Sequence, residues 1–411
     1  MRHAIIVRFS ELLRSSLVGM ALGTLTLTFA ILVTPGCGAT DEDPGKARMA
    51  ALTKALGDPD PVVRKKAAET IGKNSPQAKE AVPELIKALD DPNTEVRGSA
   101  VWALGQIGAV TEEVIPGLIK ALSDPEALVR SNAAQAAYMI GPKAREAVPA
   151  LIKVLSDPDE VVRKQAARAL GQIGSGAKEA IPSLIKALDD PNADVRGCAA
   201  WGLGQIGPQE KEVIPALIRA LDDPETAVRG RAAGALGEIG PEAKAAVPVL
   251  IKKALEEKDE NDRSVRILAI EALGHIGPDV KEIIPVLVKV LGDPQARIRE
   301  SAALAVGSIG PEAKEATPAL IKALNDPDTA VRGRAAQALG QIGLEAKEGV
   351  PALIKLLSDP DTDVRMQAVQ ALGRIGPDAK PAIGEVQRLA EKDPSEMVRL
   401  FASDALKKIA K

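Results

Sequence analysis

Val-Arg or Ile-Arg pairs, most of them preceded by Asp-Pro, recur eleven times at a nearly fixed spacing along this chain. Their arginines are Arg64, Arg97, Arg130, Arg163, Arg196, Arg229, Arg266, Arg299, Arg332, Arg365 and Arg399. Every step is 33 residues except 37 from Arg229 to Arg266 and 34 at the last. A unit this short cannot bury its own apolar face, so it must stack on its neighbours and the core grows as a row. The period therefore outweighs the two or three globular domains that 411 residues would otherwise suggest. It also favours a scaffold over an enzyme.

The stretch Val82 to Gly108 shows the physics of one unit. Apolar residues at Val82, Leu85, Ile86 and Leu89 have helical spacing. Asp91 then fits an N-cap and Pro92 a first helical position. A second helix follows, with Val96, Ala100, Val101, Leu104 and Ile107 on one face, and Gly108 suits its C-terminal stop. Each unit is thus expected to be a helical hairpin, with helix A before Asp-Pro and helix B after it. Aromatics make up only 1% of the chain, so the core must be built from Ala, Leu, Ile and Val.

Alignment on the arginine exposes fixed columns. Three residues later stands Ala in every unit, and seven later an apolar residue. Eight later stands Gly in nine units, Tyr138 and Lys407 being the departures. A glycine inside a helix costs about 1 kcal/mol relative to Ala, so nine of them imply close helix–helix approach. The Asp-Pro-x-x-x-Val-Arg element, the prolines placed within helix A (Pro83, Pro116, Pro149) and the Ala/Leu/Ile pattern of helix B resemble HEAT repeats, above all the short HEAT-like units of phycobilisome lyases. The resemblance covers residues 46–411 and implies an all-α fold, an α-solenoid of about eleven HEAT-like helical hairpins. It also implies that Asp58, Asp91, Asp124 and their equivalents cap helix B and pair with an arginine of the adjacent repeat. Such a fold hosts many activities and names none.

Residues 1–36 lie outside the repeat. Arg2, Arg8 and Arg14 precede the uncharged stretch Leu17 to Val33, and Thr34-Pro35-Gly36-Cys37 follows. Basic, apolar, then small is the order of an export signal. The Gly36-Cys37 junction resembles a bacterial lipobox, with Thr34 where that motif has Leu, which would make Cys37 the lipid attachment site. A cleaved signal without lipid and a short uncleaved anchor are the alternatives, since 17 apolar residues is the lower end of the spanning range. Residues 37–45 read as a tether. Removing residues 1–36 takes away three arginines and one glutamate and moves the net charge from −3 to −5. Besides Cys37 only Cys198 remains, so no internal disulfide can form and stacking alone must stabilise the array.

Departures from the consensus mark candidate sites. Helix B lines the concave face of a HEAT solenoid, and positions two, five and nine after the arginine turn away from its buried side. That row includes Gln106, Gln135 and Gln205, and position five also carries Trp102 and Trp201, the only tryptophans. Tryptophan at a surface is enriched in binding hot spots. The competing reading has each indole filling a gap over Gly98 or Gly197. Tyr138 and Met139 lie between the two along the array. Near the unit that lacks Asp-Pro and carries four extra residues, Leu255 to Arg266, Ile267 and Leu268 stand where other repeats carry mostly Gly, Lys, Ser or Arg; with Leu304 they would form an apolar patch. The lengthened turn itself reads as a hinge or as local repacking.

Other signals lead nowhere. Gly202-Leu203-Gly204-Gln205-Ile206-Gly207 matches a dinucleotide fingerprint but ends a helix with no strand before it. His275 is the only histidine beyond the N-terminal segment and shares the column of Gln106. No cluster has metal-ligand spacing and no cofactor is implied. The helix-A lysines Lys87, Lys120, Lys153 and Lys186 are balanced by carboxylates, so nucleic acid is not the expected partner. The expected function is a non-enzymatic protein-binding scaffold at the cell envelope, membrane-attached through a lipid and holding a protein or extended peptide in its concave groove. An enzyme-associated module resembling bilin lyase subunits and a structural spacer are the alternatives; an export signal speaks against the first.

Overall fold

The computed structural model describes residues 44–108, 113–207, 211–256, 265–277 and 282–411. Cys37, the rest of the N-terminal segment and residues 257–264 of the lengthened turn lie outside them. The described residues form helices and no strand, as an α-solenoid requires. Eleven B helices run Pro61–Lys73, Thr94–Ile107, Ala127–Ile140, Glu160–Ile173, Ala193–Ile206, Thr226–Ile239, Val265–Ile276, Ala296–Ile309, Thr329–Ile342, Thr362–Ile375 and Glu396–Ile409. Shorter A helices, such as Val82–Lys87, Val148–Val154 and Val350–Leu356, precede them. Contacts divide the chain into two compact units, one ending at Ala136 and one running from Ala137 to Lys411.

The expected core of the stretch Val82 to Gly108 is buried except at Ile86, which is half-buried. Val96, Ala100, Val101 and Leu104 are fully buried, as are Val82 and Leu85. Gly108 closes its helix at φ 78°, a backbone angle that side-chain-bearing residues rarely adopt. Two details of the hairpin differ from the sequence reading. Asp91 is not the N-cap: its Oδ1 accepts the Asn93 N–H at 2.9 Å, forming a turn, and Asn93 is the cap, accepting from Glu95 N and Val96 N. Pro92 likewise stands before that cap, outside the helix that starts at Thr94, whereas Pro83 and Pro149 lie within helix A as expected. They occupy its first turn, behind a 3₁₀ segment such as Gly141–Ala147, where a missing N–H leaves no intrahelical bond unmade.

The aspartate freed from capping serves the neighbouring repeat. Arg97 Nη1 donates to the Asp91 and Pro92 carbonyls of its own turn, while Nε and Nη2 donate to the two oxygens of Asp124, 27 residues on, at 2.8 and 3.0 Å. The same pairing joins Arg64 to Asp91, Arg163 to Asp190, Arg196 to Asp223, Arg299 to Asp326, Arg332 to Asp359 and Arg365 to Asp393. Consecutive B helices meet closely where the glycine column faces alanine: a Cβ added to Gly105 would stand 2.6 Å from that of Ala136.

One core position is chemically mismatched. Thr317 opens its A helix in the column that Val82, Val148 and Val350 occupy elsewhere, is 3% exposed, and its Oγ1 has no hydrogen-bond partner among the described residues. A buried hydroxyl without a partner costs about 1–3 kcal/mol. Thr317→Val keeps the shape and is expected to raise stability by about 1 kcal/mol. A denaturation midpoint that falls would mean that the hydroxyl is satisfied.

Candidate functional site

Several residues of the outward columns of the B helices do not lie free on the surface but rest on the preceding repeat. Trp102 sits on Gly72 and Trp201 on Gly171, each placing Cζ3 2.6 Å from where a glycine Cβ would be. Both indoles are half-buried. The glycines they cover are thus not Gly98 and Gly197, as the competing reading had it. Over Gly98 stand Leu128 and Asn132, whose Nδ2 donates to the Gly98 carbonyl at 3.0 Å, and over Gly197 lies Arg231. The reason is the stagger between repeats: position five of one helix meets position eight of the one before it, and position two meets position one. Leu268 follows the same rule, its Cδ1 3.1 Å from a Cβ at Gly230.

Among the other candidates, Met139 and Gln205 are exposed, whereas Gln106, Gln135, Tyr138, Ile267, Leu268 and Leu304 are half-buried. Within the second unit, Tyr138 and Trp201 are drawn into one cleft of about 360 Å³ together with Lys164, Arg168, Asp194, Cys198 and Arg231. The Arg168 guanidinium lies 4.4 Å above the Tyr138 ring centre, and its Nη1 donates to Gln165 Oε1 at 3.1 Å. Lys164 pairs with Asp194 at 3.1 Å. Arg231 Nη1 donates to Cys198 Sγ at 3.3 Å. Burial pushes the Cys198 thiol up, outweighing the opposite pull of the Arg231 guanidinium, so it stays protonated at neutral pH. Trp102, Met139, Gln106, Gln135, Gln205, Ile267, Leu268 and Leu304 do not line this cleft.

Beyond the cleft the B face changes sign. Gln205 donates to Glu238, and Glu271 follows in the next repeat. Burial pushes both carboxyls above their ordinary value, against the pull of exposed His275. Among the described residues no group of His, Cys, Asp and Glu is placed to hold a metal ion, and no helix is long and apolar enough to cross a membrane.

Sequence reading missed Lys164, Arg168, Asp194, Cys198 and Arg231. A signal existed in the same columns that singled out the tryptophans. Arg168 takes the position of Trp102 and Trp201, and Arg231 the position of Cys198 and Leu268. Their importance depends on which neighbours face them, which a single repeat does not reveal.

The staggered hairpins and the Arg–Asp pairs between repeats define a helical repeat protein. The chain belongs to the HEAT-repeat family: the family model of HEAT repeats matches residues 49–137, 115–197, 181–264, 247–322 and 317–407. No curated protein matches the chain in sequence. Among solved structures, Kap95p from its complex with RanGDP is similar at 16% identity and a TM-score of 0.59, with 96% of this chain and 60% of that one covered. Importin beta is similar at 18% identity and a TM-score of 0.56, with 88% and 55% covered. The present chain thus spans little more than half the length of either, and the likeness is one of fold. The CpcE–CpcF complex of phycocyanin lyase from Nostoc shares 28% identity over 62% of this chain and 96% of that one, at a TM-score of 0.38.

Proposed function

We propose that this protein is a non-enzymatic scaffold of the cell envelope that holds a protein partner on the face formed by its B helices. The observation that carries the reading is the cleft at Trp201 and Tyr138: aromatic surface, half-buried on the scaffold side and open on the other, beside cationic groups. Large aromatics held rigid by a glycine beneath them lose little entropy on binding, which is why such residues dominate interface energetics. Trp102, on Gly72, is the equivalent candidate in the first unit.

The test replaces each tryptophan by Gln, singly and together, and measures both stability and partner capture from membrane extract. Uncovering Gly72 or Gly171 should lower stability by about 1 kcal/mol each, while the loss of capture should correspond to about 2 kcal/mol or more. Variants that unfold at much lower denaturant yet still retain the wild-type partner would reduce the tryptophans to packing residues.

The envelope assignment rests on the N-terminal order of basic residues, apolar stretch and Gly36-Cys37. Cys37→Ala should release the protein from membranes or leave its precursor unprocessed. Mass spectrometry that finds an unmodified Cys37 in the membrane-bound wild type would remove the lipid anchor from the proposal.

A further inference from the structure

We propose that the cleft around Trp201 takes an extended acidic peptide, seating carboxylates on Arg168 and Arg231 and an apolar side chain on the indole between them. The inference deepens the reading of the B-helix face as a partner site and rests on it. Its basis is an imbalance of charge that the inter-repeat Arg–Asp row and the equivalent position at Arg334 avoid.

The arginines that join one repeat to the next are matched. Arg332 meets Asp359 with two nitrogens, and the same holds along the row of inter-repeat pairs. Even on the B face, Arg334 reaches Glu300 at 3.3 Å and Gln337 at 3.0 Å. Arg231 occupies the column of Arg334, three repeats earlier, but Gly197 stands where Glu300 stands there. Its guanidinium therefore lies down on the Gly197 backbone, 2.9 Å from where a Cβ would be, and donates to a neutral thiol. Arg168 spends one face on Tyr138 and one N–H on Gln165. Among the described residues neither guanidinium meets a carboxylate, and the only carboxylate of the cleft, Asp194, is held by Lys164. Two arginines are thus left over, in a chain whose net charge is −3.

A guanidinium stacked on a ring keeps its edge N–H groups directed outward, in the geometry that receives a carboxylate through two bonds. Arg168, Trp201 and Arg231 come from three consecutive B helices. Helix axes about 8–10 Å apart put the first and third about 16–20 Å from each other, the span of about five or six residues of extended chain. One small anion does not fill such a distance, whereas a peptide with acidic residues on both sides of an apolar one does. Past Arg231, Glu238 and Glu271 would repel further acidic residues and so limit the register.

The experiment presents the full-length protein to an array of immobilised decapeptides in which net charge and apolar content vary independently. Binding is expected to rise with negative charge, to require an apolar residue between acidic ones, and to weaken as salt is added. Arg168→Gln with Arg231→Gln should reduce it at least about tenfold and erase the charge preference, with helicity and melting unchanged. Trp201→Gln should weaken binding at every charge. The inference is overturned if no peptide binds, if binding ignores charge, if the double arginine variant binds like wild type, or if millimolar inorganic phosphate displaces every peptide. Capture of a membrane partner that survives loss of both arginines but not of the tryptophans would leave the scaffold reading intact and remove the acidic peptide alone.

Discussion

Asp359→Ala is expected to destabilise the array by about 3 kcal/mol, the scale of removing one member of a largely buried ion pair. The carboxylate is 7% exposed and does three things at once. It accepts Arg332 Nε and Nη2 at 2.8 and 3.1 Å and closes the following turn by accepting from Asp361 N at 2.9 Å. Alanine strands the guanidinium and opens the turn. Arg332→Met is expected to cost less, because Asp359 keeps the Asp361 N–H, although the Asp326 and Pro327 carbonyls lose their donor. The double variant should cost less than the sum of the single ones, and a double-mutant cycle in denaturant measures that coupling. In a row of repeats the damage is local to one junction, so melting should broaden or split there and not simply shift. A shift below 1 kcal/mol for Asp359→Ala would show that these pairs behave as exposed ones do.

The same carboxylates set the response to acid. Burial by itself pushes Asp91, Asp124, Asp190, Asp223, Asp326, Asp359 and Asp393 up. Guanidinium hydrogen bonds, the backbone N–H two residues on and the charge of flanking arginines outweigh it and bring each below its ordinary value. A carboxyl depressed on folding contributes stability that is complete above its unfolded value of about 3.9 and is lost as pH falls through the folded one. Because several such groups titrate together, unfolding below about pH 4 should be steep, and Asp359→Ala should lessen the slope.

How much of this was legible in the sequence depends on whether a contact lies within a repeat or between repeats. The buried faces of Val82–Lys87 and Thr94–Ile107 follow from spacing alone, because a 3.6-residue period leaves one choice of inner side. The glycine column announced close approach, and Gly105 against Ala136 bears it out. Asp91 and Asn93 could not be ranked as caps by residue type, since both side chains accept a backbone N–H; only the demand of Arg64 for Asp91 decides between them. The stagger that lays Trp102 on Gly72 is a contact between residues 30 apart, and the period does not reveal it. Nor does residue type mark Arg231 as distinct from Arg334; the difference is made by Gly197 against Glu300 in the repeat before.

That stagger gives glycine two meanings in these helices, and one substitution applied twice separates them. A Cβ on Gly340 would lie 2.7 Å from Ala371 Cα and 3.0 Å from its Cβ, so the two B helices would have to move apart. Neither obstacle is a flexible side-chain end that could swing aside. Gly234 sits in an equally regular B helix, yet a Cβ there meets nothing within 4 Å. Alanine favours the helix over glycine by about 1 kcal/mol at either position. Gly234→Ala should therefore stabilise the protein by up to about 1 kcal/mol. At Gly340 overpacking of about 1–3 kcal/mol opposes the same gain, and the net should be a loss. Gly340→Leu, with three further carbons in the same gap, should lose several kcal/mol more or fail to stack at that junction. Paired denaturation curves decide the matter by sign. If both alanine variants gain stability, the helices at Gly340 are not held at contact distance and the glycine column has some purpose other than packing.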